Sequence, residues 1–138
     1  MKRLNNGLFL HLVKASDVKN KREVACTCVE LTKAANFPTD YDDVYSHLFD
    51  SPKNDIVFVT PSEVFRGNEV VGFAVFCIFD ILNSKVMYLS GIVLHPNVQQ
   101  KRVPKSIYEE ALSIHNPDYI TARTHNPRAF KSVASFGR

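Results

Sequence analysis

The sequence predicts a mixed α/β domain, a mostly antiparallel sheet flanked by helices, in the order β-α-α-β-β-β-α-β-α. Three observations predict it. Between residues 55 and 94, three runs rich in Val, Ile and Phe follow one another across short connections, which implies antiparallel neighbours. From residue 87 onward, a strand, a helix and another strand follow in turn, which is a β-α-β crossover and brings a parallel pair. Before residue 52, apolar residues recur at helical spacing over two segments.

Residues 7–13 (Gly-Leu-Phe-Leu-His-Leu-Val) alternate loosely and read as the first strand. Ser16 or Asn20 is expected to cap the next helix. Asn20 with Glu23 three residues on has the pattern of a capping box. Val24, Cys28, Leu31 and Ala35 then share one helical face, and Asn36-Phe37-Pro38 ends the helix. Thr39 is expected to cap a short second helix with Tyr41, Val44, Tyr45 and Leu48 on one side. After the loop Ser51-Pro52-Lys53-Asn54, strands are expected at 55–60, 69–79 and 85–94, with turns at Arg66-Gly67-Asn68 and Ile81-Leu82-Asn83-Ser84. Phe73, Phe76 and Phe79 are most economically core. The helix at 103–115 presents Val103, Ile107, Ala111 and Ile114 as its buried stripe. Asn116-Pro117-Asp118 ends it, residues 119–124 return as a strand, and Asn126-Pro127 opens the last helix with Pro at its tolerated first position.

At 138 residues the chain is a single-domain length, and residues 1–138 are read as one unit. No apolar run reaches the roughly 18 residues of a membrane span, and Met1-Lys2-Arg3-Leu4-Asn5-Asn6 lacks the apolar core of a signal peptide. A cytoplasmic protein without a membrane partner is the expectation. Three cysteines, Cys26, Cys28 and Cys77, make a poor disulfide framework and have no zinc-site spacing, so no metal is expected. The net charge of +3 is uneven: residues 1–96 hold 10 Lys/Arg against 11 Asp/Glu, and residues 97–138 hold 7 against 3. That favours a phosphorylated ligand held locally. A nucleic-acid surface would need a longer basic stripe or interleaved aromatics.

The excess lies where a strand stops at His95-Pro96-Asn97 and a basic turn, Gln99-Gln100-Lys101-Arg102, hands over to a helix. Helix N-termini carry unpaired N–H groups and a positive partial charge, which suits phosphate. The run from Ile92-Val93-Leu94-His95-Pro96 through Gln99 to Ile107 resembles the GNAT (GCN5-related) N-acetyltransferases, in the end of their fourth strand, their pyrophosphate loop and third helix. Ala122-Arg123-Thr124-His125-Asn126-Pro127-Arg128-Ala129 is similar to their fifth strand and the start of their fourth helix. The resemblance covers nearly the whole order of elements. It implies acetyl-CoA as co-substrate and direct acetyl transfer to an amine of a small molecule or protein. It assigns the thioester and pantetheine arm to Ile92, Val93 and Leu94. It assigns the pyrophosphate to the loop of Gln99, Gln100, Lys101, Arg102, Val103 and Lys105, and a further cofactor contact to Asn126.

The sequence departs from the family pattern in several places. Arg102 and Pro104 stand where glycines are usual in the loop, and Gln100 where another is frequent. Val133 stands at the position of the tyrosine that often protonates the thiolate, and the chain ends at Gly137-Arg138 where the family continues with strands six and seven. A minimal or truncated domain, or a homodimer completing the sheet edge, is the expectation. The catalytic residues are left open among Tyr88, Ser90, His95 and His125, each of which also reads as ordinary core, face or loop. Arg123 and Arg128 are read either as CoA-phosphate contacts or as surface, and Glu109 and Glu110 as solvated helix. Asp40, Asp42, Asp43 and Asp50 either attract a cationic amine or form a solvated acidic face. The rival reading is a non-catalytic GNAT-fold binding or assembly domain.

Overall fold

The computed structural model describes residues 1–99 and 102–122. Six strands form one sheet in sequence order: β1 (Lys2–Arg3), β2 (Phe9–Lys14), β3 (Asn54–Thr60), β4 (Gly72–Ile81), β5 (Ser84–Leu94) and β6 (Tyr119–Ala122). All neighbours are antiparallel except β5 and β6, which run parallel because α3 (Val103–His115) carries the chain across between them. Helices α1 (Lys21–Ala34) and α2 (Tyr41–Phe49) join β2 to β3. The expected mixed sheet is present. The two-residue β1 was not foreseen, because two residues carry no periodicity.

Two apolar layers sandwich the sheet. On one face, Leu10, Val57, Val59, Ala74, Phe76, Met87 and Leu89 pack with Val103, Ile107, Tyr108 and Ala111 of α3. On the other, Ile56, Phe58, Phe73 and Val75 pack with Val24, Cys28 and Leu31 of α1 and Val44 and Leu48 of α2. β3 is buried along its whole length, so its run of Val, Ile and Phe shows no polar alternation. The stripe of α3 differs from expectation at one place. Ile114 is 52% exposed, and Tyr108 is buried instead, edge-on to Phe76. The helix stripe therefore drifts off the sheet at its last turn, where His115 reaches Asp55 of β3 at 2.5 Å.

The caps also differ from the sequence reading. Asn20 precedes α1 without a side-chain cap, so the capping box does not form. Asp40, not Thr39, caps α2, accepting from the Asp43 N–H at 2.8 Å; the Thr39 hydroxyl turns to the Asp43 carboxylate instead. Residues 67–69, read as a turn, make a short 3-10 helix, and β4 starts at Gly72, three residues later than expected.

One irregularity governs the functional end of the sheet. Along β4 and β5 the register runs Phe76↔Leu89 and then Val75↔Gly91, so Ser90 is an extra residue and forms a β-bulge. Met87 and Leu89 face α3 before it, whereas Ile92 and Leu94 face α3 after it and Val93 packs with the α1–α2 layer. The bulge thus reverses the alternation once.

Two predictions test these contacts. Deletion of Ser90 restores a regular ladder in which Gly91, Ile92, Val93 and Leu94 keep their partners and faces, so urea unfolding should show a smaller loss than a core truncation such as Ile107→Ala, about 2–5 kcal/mol. His11, 7% exposed, binds Thr60 Oγ1 through Nε2 at 2.9 Å, and burial holds its pKa below the usual 6.5. The unfolded chain then takes up the proton first. Stability is therefore complete above about pH 6.5 and falls as pH drops toward the lowered native pKa. In urea titrations across that range, His11→Gln, which keeps an amide donor near Nε2, should flatten the acid limb.

Candidate active site

The parallel pairing of β5 with β6 runs from Val86↔Tyr119 to Leu89↔Ala122 and reaches the bulge. Beyond it, among the described residues, no strand pairs with the outer edge of residues 90–94. A bulge bends its strand and increases the local twist. The side chains of Ile92, Val93 and Leu94 serve the two cores; the register turns the Val93 backbone groups to β4 and Gln99 takes the Leu94 carbonyl, so the Ile92 N–H and C=O and the Leu94 N–H are what this edge offers.

The strand ends in a tightly bonded corner. His95 N–H donates to the Val71 carbonyl at 2.8 Å, and His95 Nδ1 accepts from the Asn97 N–H at 3.1 Å, capping the 3-10 turn Pro96–Val98. That contact occupies one ring nitrogen of His95 in structure. Gln99 donates its side-chain amide to the Leu94 carbonyl at 3.2 Å, so its side chain braces the loop rather than facing a ligand. Ser90 donates its hydroxyl across the bulge to the Val75 carbonyl at 3.3 Å. Tyr88 is half-buried opposite Cys77, two residues before the bulge.

Arg102 precedes α3 with φ 55° and ψ 26°, the left-handed conformation. This is a position where the sequence comparison expects glycine, and the backbone adopts the glycine shape with an arginine in it. Strain of this kind costs on the order of 1–3 kcal/mol and persists only where the surroundings hold it. Arg102 makes no side-chain cap and Pro104 has no N–H, and among the described residues no acceptor outside the helix engages the Val103 and Lys105 N–H groups of its first turn. Arg102 and Ser106 also line a cavity of about 480 Å³ closed on the far side by residues 2–6, which brings Lys2 and Arg3 to the same place. Sequence reasoning missed those two residues because nothing local links β1 to α3. A second cavity, about 570 Å³, lies between the start of α1 and residues 65–68 and shares no lining residue with β5, α2 or α3.

A description of the GNAT acetyltransferase family matches residues 24–132. The chain belongs to the GNAT acetyltransferase family. No curated protein matches it in sequence. Solved structures agree on the fold. A Staphylococcus aureus GNAT family acetyltransferase is 18% identical with a TM-score of 0.63, over 89% of this chain and 90% of that one. A ribosomal-protein-alanine N-acetyltransferase from Brucella melitensis is 12% identical with a TM-score of 0.62, over 95% and 91%. An aminoglycoside acetyltransferase from a soil metagenomic sample is 11% identical with a TM-score of 0.64, over 96% and 86%.

The residues that resemble the family's fourth strand and third helix lie on β5 and α3 of this GNAT chain. The structure brings Ile92, Val93, Leu94, Gln99, Arg102, Val103 and Lys105 to one corner. Gln100, Lys101, Arg123, His125, Asn126, Arg128 and Val133 lie outside the described residues. Among the described residues no helix is long and apolar enough to cross a membrane, and no group of three metal-ligating side chains converges.

Sequence reasoning also missed His47. It sits near the end of α2 with its ring against Gly91, so close that a Cβ on Gly91 would lie 2.6 Å from Nε2. Asn54 of β3 fixes that turn, donating to the carbonyls of His47 at 3.2 Å and Leu48 at 3.4 Å. Desolvation of the packed edge lowers the His47 pKa below its usual 6.5, and the Asp43 carboxylate opposes this more weakly. The signal was a glycine inside a strand, which marks a close approach.

Two stability measurements check this corner. Arg102→Gly should change unfolding free energy by less than about 1 kcal/mol, since relief of strain offsets a freer unfolded chain. Arg102→Val, β-branched at a positive φ, should cost about 1–3 kcal/mol. Equal losses in both would show that the loop does not depend on the left-handed residue.

Proposed function

We propose that this protein transfers an acetyl group directly from acetyl-CoA to an amine. The observation that carries the reading is the edge of residues 90–94 beyond the Ser90 bulge, which no strand among the described residues covers, with the first turn of α3 following it in the chain. An extended arm with amide groups fits such an edge as an added strand does, through main-chain hydrogen bonds. A diphosphate fits the corner that follows, where helix N–H groups meet the charge of Arg102, with Lys2 and Arg3 beside it. Lys101, Lys105 and Asn126 complete the contacts that the family resemblance assigns.

Acyl transfer from a thioester needs a polarised carbonyl and an unprotonated amine held in line with it. In this reading an outward-facing backbone N–H beyond the bulge donates to the thioester oxygen. That donation stabilises the charge that builds on oxygen as the C–N bond forms. The C–S bond then breaks, and the nitrogen's surplus proton ends on the departing thiolate. No side chain need form a covalent intermediate. Arg102 supplies charge where the family supplies backbone and Pro104 removes one N–H donor, so affinity for the diphosphate rests more on side chains here. That feature also supports the second reading, a domain that binds the cofactor without efficient transfer.

Thermal unfolding with and without acetyl-CoA tests the proposal. At 100 times its dissociation constant the ligand should add about 2.7 kcal/mol, read as a rise in Tm. Arg102→Ala and Asn126→Ala should each weaken that rise several-fold. An unchanged Tm at millimolar acetyl-CoA would rule out both the enzyme and the binder. A rise without thiol release on a panel of primary amines would leave the binder.

A further inference from the structure

We propose that His47 is the general base of this transfer, taking a proton at Nε2 from a cationic amine held between α2 and the bulged end of β5. This rests on the acetyl-CoA reading above. The geometry starts from Gly91, the residue after the bulge. It has no side chain, and the space a Cβ would fill is occupied by Nε2 of His47, 2.6 Å from the Cβ position. Any bulkier residue at 91 would displace the ring. The imidazole therefore meets the sheet where the backbone edge opens. The residue as a whole remains exposed although its Nε2 packs on Gly91. Among the described residues, no hydrogen bond engages its ring nitrogens.

The surroundings suit an ammonium substrate. Residues 40–50 carry four carboxylates, Asp40, Asp42, Asp43 and Asp50, and no Lys or Arg. Asp43, one turn before His47, is the charged group that acts on the ring. From β5, the residue against the ring is Gly91, which is not titratable, and the nearest ionisable side chain along that strand is Tyr88. From α1, Lys21 Nζ lies 5.9 Å from the ring centroid of Phe49 on α2, and the buried Cys28 thiol is pushed up by burial and stays neutral. From β3, Asn54 binds the His47 carbonyl and carries no charge. With desolvation dominant, the ring is neutral at pH 7 and able to accept a proton.

The proton balance is simple. The substrate enters as R-NH3⁺ and gives one proton to Nε2. The resulting amine forms the C–N bond, the C–S bond breaks, and a second nitrogen proton ends on the thiolate. His47 then returns its proton to water.

The test compares wild type with His47→Gln, using acetyl-CoA and two probe nucleophiles, ethylamine and methoxyamine. Ethylamine is protonated at neutral pH and methoxyamine is not. Both proteins should show the same rise in Tm with acetyl-CoA. With ethylamine, His47→Gln should lose at least about 100-fold in thiol-release rate, along with the acid limb of the pH profile below 6.5. With methoxyamine the two should agree within about threefold. Gly91→Ala, which displaces the ring, should reproduce the ethylamine defect. Equal rates in both proteins with ethylamine, or an equal loss with both nucleophiles, would overturn the assignment. So would an absence of acceleration by wild type when acetyl-CoA is bound. If wild type shows no rise in Tm, the cofactor reading itself fails and the base falls with it.

Discussion

Ser90 is one residue too many for the β4–β5 ladder, and the face that each later side chain of β5 meets depends on it. Leu89 and Leu94 both reach the α3 layer although they are five residues apart, an odd separation that a regular strand would send to opposite faces. The chain accepts an unpaired residue because the alternative exposes Ile92 and Leu94 and buries nothing in return. Among the described residues the parallel pairing with β6 extends to Leu89, next to the bulge. The packing of the later β5 side chains therefore depends on how one residue is accommodated.

The polar ends of β3 show how the scaffold holds its corners. β3 is buried throughout, so Asn54 and Asp55 at its start must find partners. Asn54 takes the last carbonyls of α2, and Asp55 takes His115 at the end of α3. One strand thereby fixes both helix layers, and through Asn54 it fixes the turn that carries His47. The position of a ring beside Gly91 follows from a hydrogen bond on the far side of the helix turn.

Arg102 shows that a loop shape can outlast the residues usually associated with it. The left-handed conformation is kept without glycine, at a cost that the neighbouring turn and Val103 in the core sustain. Backbone shape and charge have been combined in one residue.

Periodicity alone located α3 to the residue, placed β3, β4 and β5 within three residues of their ends, and gave their antiparallel order, because burial on one or two faces leaves its period in the sequence. Charge distribution located the corner at Arg102, because those residues are consecutive. The caps at Asn20 and Thr39 were misread, since several polar residues compete within a turn and only the geometry selects one. Ile114 was misread as core because an ideal stripe ignores where the sheet ends. The bulge, the meeting of Lys2 and Arg3 with Arg102, and the seat of His47 at Gly91 belong to the tertiary structure alone. Each joins residues at least 40 positions apart or depends on a one-residue slip between strands, and neither leaves a period in the sequence.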